Sequence, residues 1–403
     1  MCGIVGISSN HQPQNLELLV KMRDALTHRG PDDAGAWQSA DQQTVLGHRR
    51  LAIIDLSPGG HQPMQDHTRR YTLVFNGEIY NFESLRQELE SIGQSFTRRS
   101  DSEVILEAYR RWGTDCVDHL NGMFAFAIYD REKDLIFAAR DRAGEKPLYY
   151  WHHNSTLIFA SELKALMMHP EVERRCDKNA LADYLMYGYV SGGKSILTGV
   201  KKLRQGHRLI FLRARNRLKV EPYWRLPSPS SAAETEPEGL VDELENLLRS
   251  SVRRQMVSDV PIGVLLSGGT DSSVVTALAS EVAEQTIKTF TVSFPELGAQ
   301  DEAPYAKLVA DHFSTDHTVL PAEQMEADLL TELARQYDEP LADHSMIPTF
   351  LVSRLIREHA TVAVGGDGGD ELFGGYQHYA WLIKQAKMRK FLPATVRQIP
   401  AEL

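Results

Sequence analysis

The sequence predicts two folds in series, an α+β sandwich over residues 1–225 and an open parallel α/β sheet over 240–403, joined by a linker at 226–239. Three observations carry this. The first part is a succession of short β-rich stretches with turn residues between several of them and only a few helices. The stretch "LPSPSSAAETEPEG" holds Pro, Ser, Ala and acid with no periodic apolar residue, as a linker does. Beyond it strand and helix alternate with turn residues at the junctions, the pattern of a parallel sheet.

Taken in order, "CGIVGIS", "TVLGHRRLAIIDL", "YTLVFNG", "GMFAFAIYD", "LIFAAR" and "TLIFAS" read as strands, being rich in β-branched and aromatic residues. "NFESLRQELESIG" and "DSEVILEAYRRWG" have helical spacing and end in a glycine suited to a C-cap. After the linker, Leu240, Leu244, Leu247, Leu248, Val252 and Met256 fall on one helical face. There follow strand "PIGVLLS", helix "DSSVVTALASEVAEQ", strand "IKTFTVSF", helix "EAPYAKLVADHF" and a strand around "DHTVL". The chain has no internal repeat.

Composition bounds the function. The 403 residues are 42% hydrophobic and 24% charged, and no apolar run reaches the ~18–20 residues of a membrane helix. No basic segment leads into an apolar stretch at the N-terminus, so a signal peptide is not expected. Three scattered cysteines, Cys2, Cys116 and Cys176, make neither a disulfide framework nor a zinc knuckle, and a reducing cytoplasmic location is expected. A net charge of -10 argues against a nucleic-acid partner.

Two places carry chemistry. Cys2 opens a buried-strand pattern and reads either as a small hydrophobe or, if Met1 is removed, as a thiol sharing its residue with a free α-amine able to act as its base. In "VLLSGGTDSSVV" a strand ends in Ser267-Gly268-Gly269 and Asp271-Ser272-Ser273 opens a helix. Backbone N–H groups and the helix dipole there suit a pyrophosphate. Asp271 would oppose phosphate unless a cation lay between, which implies Mg²⁺. The loop is not a Walker motif. "TVAVGGDGGDELFGGY" repeats the arrangement at another strand end, with Asp370 as a second Mg²⁺ contact; a surface turn is the plainer alternative.

With "MCGIVGI", "HRGPDD", "GHRRLAIIDL", "FNGEIYN", "SDSEVI", "ARDRAGEKPLYY", "LLSGGTDSS", "DEPLADHSMIPT" and "GGDGGDELFGGY" in this order, the whole chain resembles the glutamine-dependent asparagine synthetases. Its first part resembles class II glutamine amidotransferases of the N-terminal nucleophile (Ntn) fold, and its second part ATP pyrophosphatases. The resemblance implies Cys2 as nucleophile on the glutamine side-chain amide, with Asn76 and the Gly77 N–H as oxyanion donors. It implies Arg50 on the substrate α-carboxylate, Glu78 and Asp101 on the α-ammonium, and Leu51 and Ile53 in the glutamine pocket.

In the second part it implies ATP held by Ser267, Gly268, Gly269, Asp271, Ser272, Ser273, Gly365 and Gly366, with Leu265 and Val292 flanking adenine. Asp271 and Asp370 would hold Mg²⁺, and Asp367 would lie where many relatives carry a glutamate near the acceptor, expected to be aspartate. "DEPLADHS" would border that acceptor, and a homodimer is carried as an expectation. Two departures stand out. Thr270 replaces the usual leucine, and the resemblance implies a further C-terminal segment whose lysine serves the α-phosphate. Amidation of another carboxylate, such as a sugar uronic acid, or a non-catalytic nucleotide-binding protein, are the alternatives.

Overall fold

The structure is a computed structural model that describes residues 1–227, 237–295, 298, 301–322 and 328–391. By contacts the chain divides into two units that interleave along the sequence. One holds Met1–Asp242, Val257–Pro261 and Glu323–Arg354; the other holds Glu243–Met256, Ile262–Ala322 and Leu355–Leu403.

The first unit opens with β1 (Gly3–Ser9), α1 (Leu16–Asp24), β2 (Asp33–Gln38), β3 (Thr44–Arg50) and β4 (Met64–Gln65). Next come β5 (Tyr71–Ile79), α2 (Phe82–Ser91), α3 (Asp101–Trp112), β6 (Gly122–Asp130) and β7 (Leu135–Arg140). It continues through β8 (Tyr149–His153), β9 (Thr156–Ala160), α4 (Leu163–Leu166), α5 (Lys178–Tyr187), β10 (Val200–Lys202), β11 (His207–Leu212) and β12 (Arg217–Pro222). These strands form two antiparallel six-stranded sheets, in the orders β10-β8-β9-β1-β3-β2 and β12-β11-β7-β6-β5-β4.

Three buried layers make this a helix–sheet–sheet–helix sandwich. Between the sheets lie Ile4, Leu46, Val74, Ala127 and Phe159. Leu19, Met22 and Leu26 pack with Val5 and Ile158 on the outer face of the first sheet. Leu85, Val104 and Tyr109 pack with Phe75 and Phe126 beneath the second. Each buried valine, leucine, isoleucine, methionine or phenylalanine among them contributes about 1.5–3 kcal/mol. Gly113 caps α3 in the left-handed region, its N–H bonding Tyr109 O, and Gly93 lies one residue past the α2 cap.

One strand is shorter than its sequence suggests. β3 ends at Arg50, and the "LAIIDL" stretch leaves the sheet. The Arg50 guanidinium donates to the carbonyls of Ile54, Asp55 and Ser57, which curls this segment around the side chain rather than letting it extend.

The expected linker falls largely on 228–236, outside the described residues. The helix after it, α6 (Pro237–Gln255), begins within the last residues of the expected 226–239 linker. In the second unit α6 is followed by β13 (Ile262–Leu265), α7 (Thr270–Val282), β14 (Lys288–Ser293), α8 (Ala303–Phe313) and β15 (Asp316–Pro321). The first unit then supplies α9 (Asp328–Gln336), and α10 (Met346–Arg357) runs to β16 (Val362–Val364), α11 (Gly369–Phe373) and α12 (Gln377–Phe391).

The four strands form a parallel sheet in the order β15-β14-β13-β16. Val252, Val264, Leu278 and Ile287 make its core, with Leu248 and Met256 against them. The leucine face of α6 is buried over this half alone, while Leu240, Leu244 and Leu247 are exposed. Among the described residues no helix is long and apolar enough to cross a membrane.

Candidate active sites

In the first unit one cavity gathers every residue that the sequence assigns to nucleophile and glutamine pocket: Cys2, Arg50, Leu51, Ile53, Asn76, Gly77, Glu78 and Asp101. Each arrives for a local reason. Cys2 precedes β1, its thiol directed at the Leu51 carbonyl (3.7 Å) and its own carbonyl accepting from Arg29 Nε (2.8 Å). Burial raises the thiol pKa, opposed by the nearby terminal amine. That amine, on Met1, is itself held at about 6 by burial.

Asn76 and Gly77 lie at the end of β5 where it pairs with β6. Gly77 has φ +155°, and a Cβ there would sit 2.1 Å from the Met123 carbonyl, so no larger residue fits. Asn76 is fully buried, yet neither its side-chain oxygen nor its nitrogen has a hydrogen-bond partner. Buried polar groups are nearly always bonded, so an orphaned amide lining a cavity marks a place for a ligand.

Ser100 N-caps α3, accepting from the Glu103 N–H, and so fixes Asp101 in the first turn. Asp101 Oδ2 accepts from the Ile79 N–H (3.1 Å). Burial lifts its carboxyl to about 6. Glu78, 7% exposed with Oε1 unpartnered, is lifted to about 7 by burial and by the Asp101 charge. Arg50, equally buried, makes no ion pair among the described residues; its donors go to carbonyls alone. A cavity lined by an unpaired guanidinium and two strained acids complements a zwitterion, the head group of an amino acid.

The sequence reading missed part of this wall. Gly60 stands where a Cβ would lie 1.9 Å from Arg50 Nη2, and Gln62 accepts the Phe75 N–H at 2.7 Å. Lys146, buried with its ammonium 3.4 Å from the Met1 sulfur, lies inside the quoted "ARDRAGEKPLYY" and could have been found there.

The second site is built on backbone. The sheet order places β13 between β14 and β16, so successive connections leave its carboxyl edge on opposite sides, and ligands of such sheets bind in that crevice. Both glycine-rich turns lie there. Gly268 has φ +83°, with a Cβ position 2.6 Å from the Ala306 nitrogen. Ser272 Oγ accepts from the Ser267 N–H (3.2 Å) and lies 2.9 Å from Ser267 Oγ, and Ser273 Oγ donates to the Gly269 carbonyl (2.7 Å).

A Cβ on Gly366 would lie 3.0 Å from Asp271 Cβ, and one on Gly369 would lie 2.4 Å from Asp271 Oδ2. The two turns therefore abut around Asp271. Leu265 lies against Gly365, and register places Leu265, Phe290 and Val292 on one face of the sheet. Asp367 is exposed, and Asp370 folds back on Gly375, its Oδ1 1.8 Å from that glycine's Cβ position. Among the described residues no three His, Cys, Asp or Glu side chains gather as a metal cluster.

An Ntn sandwich with a cysteine beside its first strand, followed by a parallel sheet with paired glycine turns, defines a two-part amidotransferase of the ATP-pyrophosphatase kind. The chain matches the "Glutamine amidotransferase domain" family over residues 1–224 and the "Asparagine synthase" family over 243–402. It is 37% identical to a protein of Methanocaldococcus jannaschii named among the glutamine-hydrolysing asparagine synthetases, covering all of this chain and 81% of that one. Two Bacillus subtilis proteins, asparagine synthetases 3 and 1, are 37% and 38% identical over 93% and 94% of this chain. The chain spans 63% and 59% of their lengths. The chain belongs to the family of glutamine-hydrolysing asparagine synthetases.

Proposed function

We propose that this protein is a cytoplasmic ligase that makes asparagine from aspartate with glutamine as amide donor and ATP as driving substrate. The observation that carries the reading is the unpartnered amide of Asn76 lining one cavity with Cys2, Arg50 and two acids of raised pKa.

With Met1 removed, the α-amine of Cys2 takes the thiol proton and the thiolate attacks the glutamine side-chain carbonyl. Asn76 and the Gly77 N–H receive the oxyanion; the amine returns the proton to the leaving ammonia. Water then cleaves the thioester to glutamate. Arg50 takes the α-carboxylate, Glu78 and Asp101 the α-ammonium, and Leu51 and Ile53 wall the side chain.

In the second unit the aspartate β-carboxylate attacks the α-phosphorus of ATP, releasing pyrophosphate, and ammonia displaces AMP from the acyl adenylate. Ser267, Gly268, Gly269, Ser272, Ser273, Gly365 and Gly366 cradle the nucleotide, Leu265 and Val292 flank the base, and Asp367 lies toward the acceptor. Asp271 and Asp370 would hold Mg²⁺. Glycines at 366 and 369 leave room for the Asp271 carboxylate, and Mg²⁺ takes one or two carboxylates plus substrate phosphates rather than a protein cage. When bound it neutralises phosphate charge. The protein is further read as a homodimer.

The test separates the two chemistries. Cys2→Ala is expected to abolish glutamine hydrolysis and keep ammonia-dependent, aspartate-dependent AMP release. Asp271→Asn is expected to do the reverse. Glutamine hydrolysis surviving in Cys2→Ala removes the nucleophile assignment; AMP release that ignores aspartate but follows another carboxylate reassigns the acceptor.

A further inference from the structure

Asp338 and Glu339 open the "DEPLADHS" stretch, yet both carboxylates are engaged by amidotransferase residues of their own unit. Glu339 accepts from the Ile196 N–H (2.8 Å), pairs with Lys202 Nζ (2.5 Å) and receives the Tyr149 hydroxyl (3.4 Å). Asp338 accepts the Lys164 N–H (2.8 Å) and pairs with its ammonium (3.3 Å), which also donates to the Gln336 carbonyl (2.9 Å). Ala342 N–H bonds the Gly188 carbonyl (2.8 Å) at the end of α5.

From Lys164 the pairing runs on toward the nucleophile. Its ammonium donates to Glu162 Oε2 (2.7 Å), and Glu162 Oε1 accepts from Arg29 Nη1 (2.7 Å). His28 Nε2 lies 2.9 Å from Glu162 Oε2. Arg29 closes the series by holding the Cys2 carbonyl with Nε. Its guanidinium is a rigid plane, so any turn of Glu162 is passed to the peptide of Cys2.

We propose that Asp338 is a positioning residue for Cys2, acting through Lys164, Glu162 and Arg29, so that residues 336–342 set the geometry of glutamine hydrolysis. The inference rests on Cys2 being the nucleophile. Two features favour a positioning task over simple stabilisation. All four side chains are largely buried, at 8–19% exposure, where charges cost more to bury than their pairing returns. And the series ends on the backbone carbonyl of Cys2 itself, the residue that carries the thiol, where an error of ~1 Å costs ~10²-fold in rate.

The experiment measures glutamine hydrolysis and the rate of Cys2 alkylation by iodoacetamide on the full chain. Asp338→Asn and Lys164→Met are expected to lower kcat about 3- to 10-fold, the range of coupling through packed networks, with KM unchanged and alkylation slowed in parallel. Asp338→Glu is expected to restore most of the rate. Unchanged kcat and alkylation in both variants, alongside a loss in Glu162→Gln, ends the series at Glu162 and overturns the proposal. So does a loss that falls on KM alone or is not rescued by glutamate. Hydrolysis persisting in Cys2→Ala would instead remove the underlying nucleophile reading, whatever Asp338→Asn does.

Discussion

The two candidate sites are made of different material. In the first unit a cavity is lined by buried side chains whose polar atoms lack protein partners: both ends of the Asn76 amide and one oxygen of Glu78. In the second, the turns after β13 and β16 are glycine backbone pressed together around Asp271, and the serine hydroxyls of the first turn are already bonded to one another or to the Gly269 carbonyl. The first site stores unmet charge and hydrogen-bonding capacity, which a small zwitterion would satisfy. The second stores space and oriented N–H groups, which suit a large anion.

Substitutions should therefore trade stability against activity in opposite ways at the two sites. The largest effect is expected for Asn76→Ala: glutamine hydrolysis should fall ~10²–10³-fold, as for loss of one oxyanion donor. The melting temperature should hold or rise, because an unpaired buried amide is removed. Thermal denaturation alongside glutamate release checks both halves; a marked drop in melting temperature would show that the amide is structural.

Glu78→Gln comes next. Its carboxyl at about 7 lies above the usual range, so the folded protein binds the extra proton more tightly than the unfolded chain. The stability that this contributes is complete below about pH 4.5 and is lost as pH rises through about 7. The neutral variant should thus gain most above pH 7, by about 3 kcal/mol, while glutamine KM rises. In the parent protein KM should fall from pH 6 to 8 as Glu78 and Asp101 ionise. Denaturant titrations at pH 5 and 8 read the first effect, and KM–pH profiles the second.

At the second site Gly369→Ala puts a methyl 2.4 Å from Asp271 Oδ2. Displacing that carboxylate should cost about tenfold or more in aspartate-dependent AMP release, with glutaminase unchanged. Ser272→Ala should be the mildest change, removing the hydroxyl that bonds Ser267 and Gly269 at about 1 kcal/mol of stability. Equal losses of both activities in either variant would erase the contrast between the sites.

Much of this was readable beforehand because its causes are local. Gly77, Gly268 and Gly366 stand where backbone geometry excludes any other residue, and such demands show as motifs. Richness in β-branched and aromatic residues marked β1, β5, β6 and β7. The curl after Arg50 was not readable, since "LAIIDL" has strand composition and is diverted by one guanidinium. Nor was the burial of Asp338 and Glu339: their partners Lys164 and Ile196 lie 174 and 143 residues away. In sequence an acid of that kind looks the same as one on a solvated face. The leucine face of α6 shows the converse, a helical stripe that is buried over only half its length.

The interleaving of the two units bears on how the gene can be divided. The linker at 226–239 looks like the natural place to separate or exchange the two halves. A cut there would send residues 323–354 with the wrong partner. The first half would keep Lys202 without Glu339 and Lys164 with Glu162 alone, on a surface stripped of its covering segment. Chimaeras joined at that point should be poorly expressed unless the second half comes from the same parent, or brings its own acids to meet the lysines. A short acidic stretch thus ties the second half of the reading frame to the first.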